Sequence, residues 1–185
     1  MSPEQADHQW LFEENLSCEL SVPCRLDPGT GTSGDGAEMR LRAISLVEDG
    51  RVEDSEERHE KGFALQRIEA KLDLVLALCG QLLRTRQEGL VHSTFRLSSR
   101  GVQLPLPAGT NPPPAGTRLT FHFQAAEWLP DPVSLPVMVL AGRPEDSQHL
   151  LLKFDPISPV LQELMERHVF RLHRRHIAHQ RHIQR

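Results

Sequence analysis

Six apolar side chains recur at alternating spacings of four and three: Leu65, Ile68, Leu72, Val75, Cys79 and Leu82. They fill the a and d positions of three successive heptads, which predicts an amphipathic helix over 53–87. Glu53–Glu60 open it with acids, as suits the positive end of a helix dipole. Leu74, Leu76, Leu78 and Leu83 place further apolar side chains on its other faces. A helix apolar nearly all round has to be buried nearly all round. In a chain of 185 residues, two covers are open to it: the core of a monomer, or sister helices in an oligomer. The second is favoured, because so small a chain has little left to enclose thirty helical residues.

After Gly89 the apolar period changes from 3.6 to 2. Leu90–Leu97 and Val102–Leu106 read as strands around a Ser-Ser-Arg-Gly turn at 98–101, and Pro105 points to a sheet edge. Thr117–Gln124 sets Leu119, Phe121 and Phe123 against Arg118, Thr120 and His122. Leu135–Ala141 and His149–Asp155 follow, and Leu16–Leu26 alternates likewise. Short strands at such intervals predict a small antiparallel barrel. Ala37–Val47 has the spacing of a short helix. Ser158 is an N-cap candidate and Pro159 a first helical residue, with Val160, Leu161, Leu164, Met165 and Val169 turned inward. The fold class is α+β. The expected organisation is a tail at 1–15, a first barrel strand at 16–27, a loop and inserted helices at 28–88, the barrel at 89–157 and a basic helix at 158–185. Aromatics are only 5 %, so Leu and Val are expected to carry the packing.

Charge is divided along the chain. Residues 1–60 hold fifteen acids and five bases, residues 61–185 ten acids and sixteen bases. From Arg167 onward there are six Arg, five His and no acid. Such a segment suits an anionic partner, an acidic face of its own oligomer, or a solvated helix end. His173, His176, His179 and His182 recur every three residues, a row that drifts round a helix and makes no designed metal site. No metal is expected. Cys18, Cys24 and Cys79 read as small buried hydrophobes in a reducing cytoplasm. The acidic first twenty residues are unlike a secretory leader, and no apolar run is long enough to span a bilayer. No catalytic motif stands out, and an enzyme is not expected.

The turn Arg96-Leu97-Ser98-Ser99-Arg100-Gly101 carries a resemblance to the PilZ domain, a small β-barrel of bacterial cyclic di-GMP signalling. PilZ receptors have Asp/Asn-x-Ser-x-x-Gly after a strand and an Arg-x-x-x-Arg pair leading into the barrel. Ser98 and Gly101 match, whereas Arg96 stands at the Asp/Asn position, which removes an acceptor and adds a cation. None of the four Arg-x-x-x-Arg pairs, 96/100, 167/171, 171/175 and 181/185, precedes the strand at 90–97.

More broadly, the chain resembles the atypical, tetrameric PilZ-like proteins of plant-pathogenic proteobacteria. The likeness lies in the order of LFEENLSCELSVP, RIEAKLDLVLALCGQLL, FRLSSRG, WLPDPVSLPV and LMERHVFRLHRRHIA, and spans most of residues 10–180. It implies a PilZ-like barrel with an inserted helix that builds a four-helix bundle, hence a homotetramer. It implies a cytoplasmic, non-enzymatic regulator acting through signalling protein partners not identified by the sequence. Cyclic di-GMP is the one ligand it brings into question, with direct binding weak or lost, and Arg96, Ser98, Arg100 and Gly101 are the residues that would hold it. Two alternatives stand beside this: a cyclic di-GMP receptor with a rebuilt site, and nucleic-acid binding through the 167–185 helix.

Overall fold

A computed structural model of the chain describes residues 3–29, 35–57, 68, 71–72, 75, 89–106, 109–129, 131–140 and 149–183. Six antiparallel strands close into a barrel in the order β1-β2-β3-β6-β5-β4. They are β1 (Ser17–Pro28), β2 (Val91–Ser98), β3 (Gly101–Pro105), β4 (Arg118–Phe123), β5 (Val133–Val139) and β6 (His149–Phe154). The long β1 closes the ring: Ser17 to Cys24 pair with β2, and Cys24 to Pro28 pair with β4. Closure corrects the edge reading of Pro105. β3 lies between β2 and β6, and Pro105 ends the ladder opposite His149, where its missing N–H is needed least.

Alternation along the strands delivers the core. Phe95, Leu97, Phe121, Phe123, Val133, Leu135, Val137 and Leu152 are all buried inside the barrel. Leu and Val supply most of this core, as expected, and Phe95, Phe121, Phe123 and Phe154 join them. Phe95 meets Phe121 edge-on at 5.3 Å, and Phe121 stacks on Phe123 at 5.5 Å. Cys18 and Cys24 are free and buried, and burial raises the Cys18 thiol pKa to about 11. Cys79 lies outside the described residues.

The N-terminal segment is packed rather than a tail. Helix α1 (Pro3–His8) continues into a π-helical turn, Gln9–Glu13, that buries Leu11 and Phe12. Helix α2 runs unbroken over Asp35–Glu57, so there is neither an end at 47 nor a start at 53. Ala37, Leu41, Ile44 and Glu48 form its buried stripe, and Gly50 within it costs a helix only about 1 kcal/mol. Ile68, Leu72 and Val75 are helical and more than half exposed. Leu65, Cys79 and Leu82 of the same stripe lie outside the described residues. No helix among the described residues is long and apolar enough to cross a membrane.

Helix α3 (Pro159–Ile183) is capped as its sequence predicts: the Leu161 N–H donates to Ser158 Oγ at 3.0 Å. Ser158 Oγ in turn donates to Glu38 of α2. Leu161, Leu164, Met165, His168 and Val169 are buried. Val160 is not, because it lies about 100° off that stripe. Arg171 and Arg175 reach the buried Glu48 of α2 at 3.4 and 2.8 Å, and Arg171 also donates to Ser45 at 2.9 Å.

His168 occupies a stripe position that the apolar pattern did not reveal. Its ring lies 6.3 Å from that of Phe123, and neither ring nitrogen has a hydrogen-bond partner among the described residues. Burial first, then the charges of Arg171 and Arg175, lowers its pKa from 6.5 to about 3, with Glu48 opposite those arginines. The unfolded chain therefore takes up a proton below pH 6.5 that the folded chain refuses. Stability is full above pH 6.5 and falls as pH drops toward 3, at up to about 1.4 kcal/mol per pH unit. Between pH 6.5 and 5, His168 is expected to remove about 2 kcal/mol. Urea titrations of the wild type and His168→Leu at both pH values check this. An equal pH dependence in the two proteins would exclude His168 as its source.

Candidate functional site: the barrel turn and its cover

The turn between β2 and β3 is built by its serine. Ser98 Oγ is fully buried, accepts from the N–H groups of Arg100 and Gly101 at 3.2 Å each, and donates to the Gly101 carbonyl at 3.3 Å. Every polar valence of the hydroxyl is used in shaping the turn. Gly101 has no positive φ, so it does not serve as a left-handed turn glycine. Its role is close approach. A Cβ here would stand 2.2 Å from the Leu152 carbonyl oxygen and 2.8 Å from Leu11 Cδ2.

The two arginines hold the N-terminal segment over this turn. Arg96 Nε donates to Ser17 Oγ at 3.0 Å and its terminal nitrogen to the Phe12 carbonyl at 3.3 Å, with the guanidinium 5.0 Å from the Phe12 ring. Arg100 donates to Gln162 of α3 at 3.1 Å and lies 5.9 Å from the Trp10 ring. All four sequence candidates thus meet in one place. There they join the barrel to its helical cover. The N-terminal part of that cover shows in the sequence only as Trp10-Leu11-Phe12, an apolar run within an acidic stretch.

Beside Arg96, on the outer wall, a cleft of about 420 Å³ is lined by Glu19, Thr94, Arg96, Gln103 and His149. Glu19 is the cross-strand partner of Arg96. It supplies a carboxylate next to the position where the PilZ pattern would have one.

A second polar row crosses β1, β4 and β5. Ser134 Oγ is 2.7 Å from His122 Nδ1, His122 Nε2 is 3.3 Å from Asp27, and Arg25 pairs with Asp27 at 2.9 Å. The His122 pKa is lowered, by burial above all and by Arg25, against the opposing Asp27. Acyl transfer needs such a row at a site where backbone N–H groups converge on an oxyanion. These residues instead lie flat along paired strands, where they link three strands of the wall.

On α3 the basic charge is partly answered within the chain: Arg171 and Arg175 by Glu48, Arg167 by Glu163 at 2.7 Å. Among the described residues no group of His, Cys, Asp and Glu is arranged to hold a metal ion.

A family model described as "Atypical PilZ domain, cyclic di-GMP receptor" matches residues 41–182. No curated protein matches the chain. Among solved structures, a pathogenic protein from Xanthomonas campestris is 42% identical, with a TM-score of 0.77 over 96% of this chain and 98% of that one. It is described as a tetrameric PilZ domain self-assembled via an unusual helical bundle. The inhibitor of motility from Bacillus subtilis is 16% identical, with a TM-score of 0.36 over 47% of this chain and 44% of that one.

Proposed function

The chain belongs to the atypical PilZ domain family, and from that premise we propose that it is a non-enzymatic, cytoplasmic adaptor of bacterial cyclic di-GMP signalling. It assembles as a homotetramer through its inserted helix and acts through protein partners, with direct nucleotide binding weak or absent. The observation that carries the nucleotide reading is the engagement of the motif side chains. Ser98 spends its hydroxyl on the turn, and Arg96 and Arg100 hold Phe12, Ser17 and Gln162. To clamp a phosphate, either arginine would first have to release the helical cover. The tetramer reading is supported by the exposed stripe Ile68, Leu72 and Val75 and by the assembly described for the Xanthomonas relative.

The cleft at Glu19 and Arg96 favours a second reading, a receptor with a rebuilt site. A carboxylate facing outward is a natural acceptor for the N–H edge of guanine. Isothermal titration with cyclic di-GMP at high micromolar protein separates the two. The adaptor is expected to give no saturable heat and no shift of its melting temperature. Saturable binding that is lost in Glu19→Ala and in Arg96→Ala would establish the receptor instead.

A further inference from the structure

A cleft of about 420 Å³ opens between the segment entering β1 and the outer face of α3. Its apolar lining is Leu16, Val169 and Phe170, of which Leu16 and Phe170 are 42% and 52% exposed. Large apolar side chains gathered at a cleft, rather than scattered singly, mark interaction surfaces. The rim carries Glu14, Glu166 and Arg167. Arg167 is held by Glu163 at 2.7 Å, whereas Glu166 meets only the neutral amide of Gln162, at 3.2 Å, among the described residues. Arg174 lies 5.9 Å from the Phe170 ring, and with Glu14, Glu163 and Glu166 set against Arg167 and Arg174 the rim offers a newcomer a net negative charge.

We propose that this cleft docks a linear segment of a partner protein that carries a large apolar anchor flanked by Lys or Arg. The proposal rests on the adaptor reading and names where that adaptor is read. The anchor fills the space between Leu16 and Phe170, where water is displaced from apolar surface. The flanking cations face Glu14 and Glu166, which sets orientation and hastens encounter. The cleft also adjoins the segment that Arg96 and Arg100 hold against the barrel. Its Glu14–Leu16 wall is thus flanked by residues that these two arginines of the turn hold in place.

The test is selection of a displayed library of random dodecapeptides on the full-length protein, followed by fluorescence anisotropy of the enriched peptides. The expected winners share an apolar anchor beside Lys or Arg. Phe170→Asp lowers their affinity about tenfold or more, and Glu166→Lys lowers it severalfold while flattening its salt dependence. Both positions are exposed, so melting temperatures are expected to hold. Leu16→Ser stands in for Phe170→Asp if that variant does not fold. Failure of any peptide to enrich, enrichment of acidic peptides, or affinity indifferent to both variants would overturn the proposal. So would a change of oligomeric mass in Phe170→Asp, which would assign the cleft to a second copy of the chain. Failure of the adaptor reading is seen separately, as cyclic di-GMP heat that these cleft variants leave untouched.

Discussion

A Leu72→Asp/Val75→Asp double variant is expected to elute at the mass of one chain while keeping the circular dichroism of the barrel. Ile68, Leu72 and Val75 lie at i, i+4 and i+7 on one helical face and are 54%, 57% and 54% exposed in the single chain. In a symmetric bundle each introduced carboxylate would be buried beside its own copies. A buried, unpaired charge costs several kcal/mol, and symmetry repeats the penalty in every subunit. The barrel core shares none of these residues, so the monomer is expected to stay folded. Light scattering after size exclusion gives the mass directly. A variant that keeps the wild-type mass would sink the heptad interface.

Gly101→Ala is expected to be the most damaging single methyl in the barrel. The new Cβ would stand 2.2 Å from the Leu152 carbonyl oxygen and 3.1 Å from Lys153 Cα. Both are backbone atoms of the paired strand β6, so no rotamer change relieves the clash and the strands must part. Overpacking in a tight core commonly costs 1–3 kcal/mol, and backbone contact puts this case at about 3 kcal/mol or more. For a chain of this size that lowers the melting temperature by ~10 °C. The same methyl would press on Leu11 Cδ2 at 2.8 Å, so protease sensitivity of the N-terminal segment is expected to rise as well. A melting temperature within two degrees of the wild type would refute the close-approach account.

The fold is legible in the sequence where one local rule decides the outcome. Leu119, Phe121 and Phe123 alternate without interruption, and β4 spans Arg118–Phe123. Ser158 followed by Pro159 is a helix start by capping chemistry alone, and α3 starts there. It is not legible where a distant partner decides. Nothing local in Glu48 tells that Arg171 and Arg175 will cross from another helix to meet it, so the apolar pattern of α2 stops at 47. His168 continues an apolar stripe as a polar letter, and periodicity is blind to it. Pro105 suggested an edge because a local rule cannot foresee that β3 ends where β6 begins.

The candidate site shows the same division. Its four residues were identifiable as a group from the turn motif, and the structure brings them together. Their occupations were not legible, because each partner is remote: Phe12 and Ser17 for Arg96, Gln162 for Arg100, Leu152 and Leu11 for Gly101. A motif names side chains, but only the fold reveals whether their donors are free.

Among the described residues every strand of the ring has a neighbour on each side, so the barrel lacks a full-length open edge along which another polypeptide could extend the sheet. Recognition by strand addition, and the edge-to-edge aggregation that threatens open sheets, both call for such an edge. Copies and partners must instead be met through side chains on helices and loops. Such surfaces can change with little disturbance to the hydrogen-bonded wall, which leaves the barrel free to serve as a fixed chassis for exchangeable contacts.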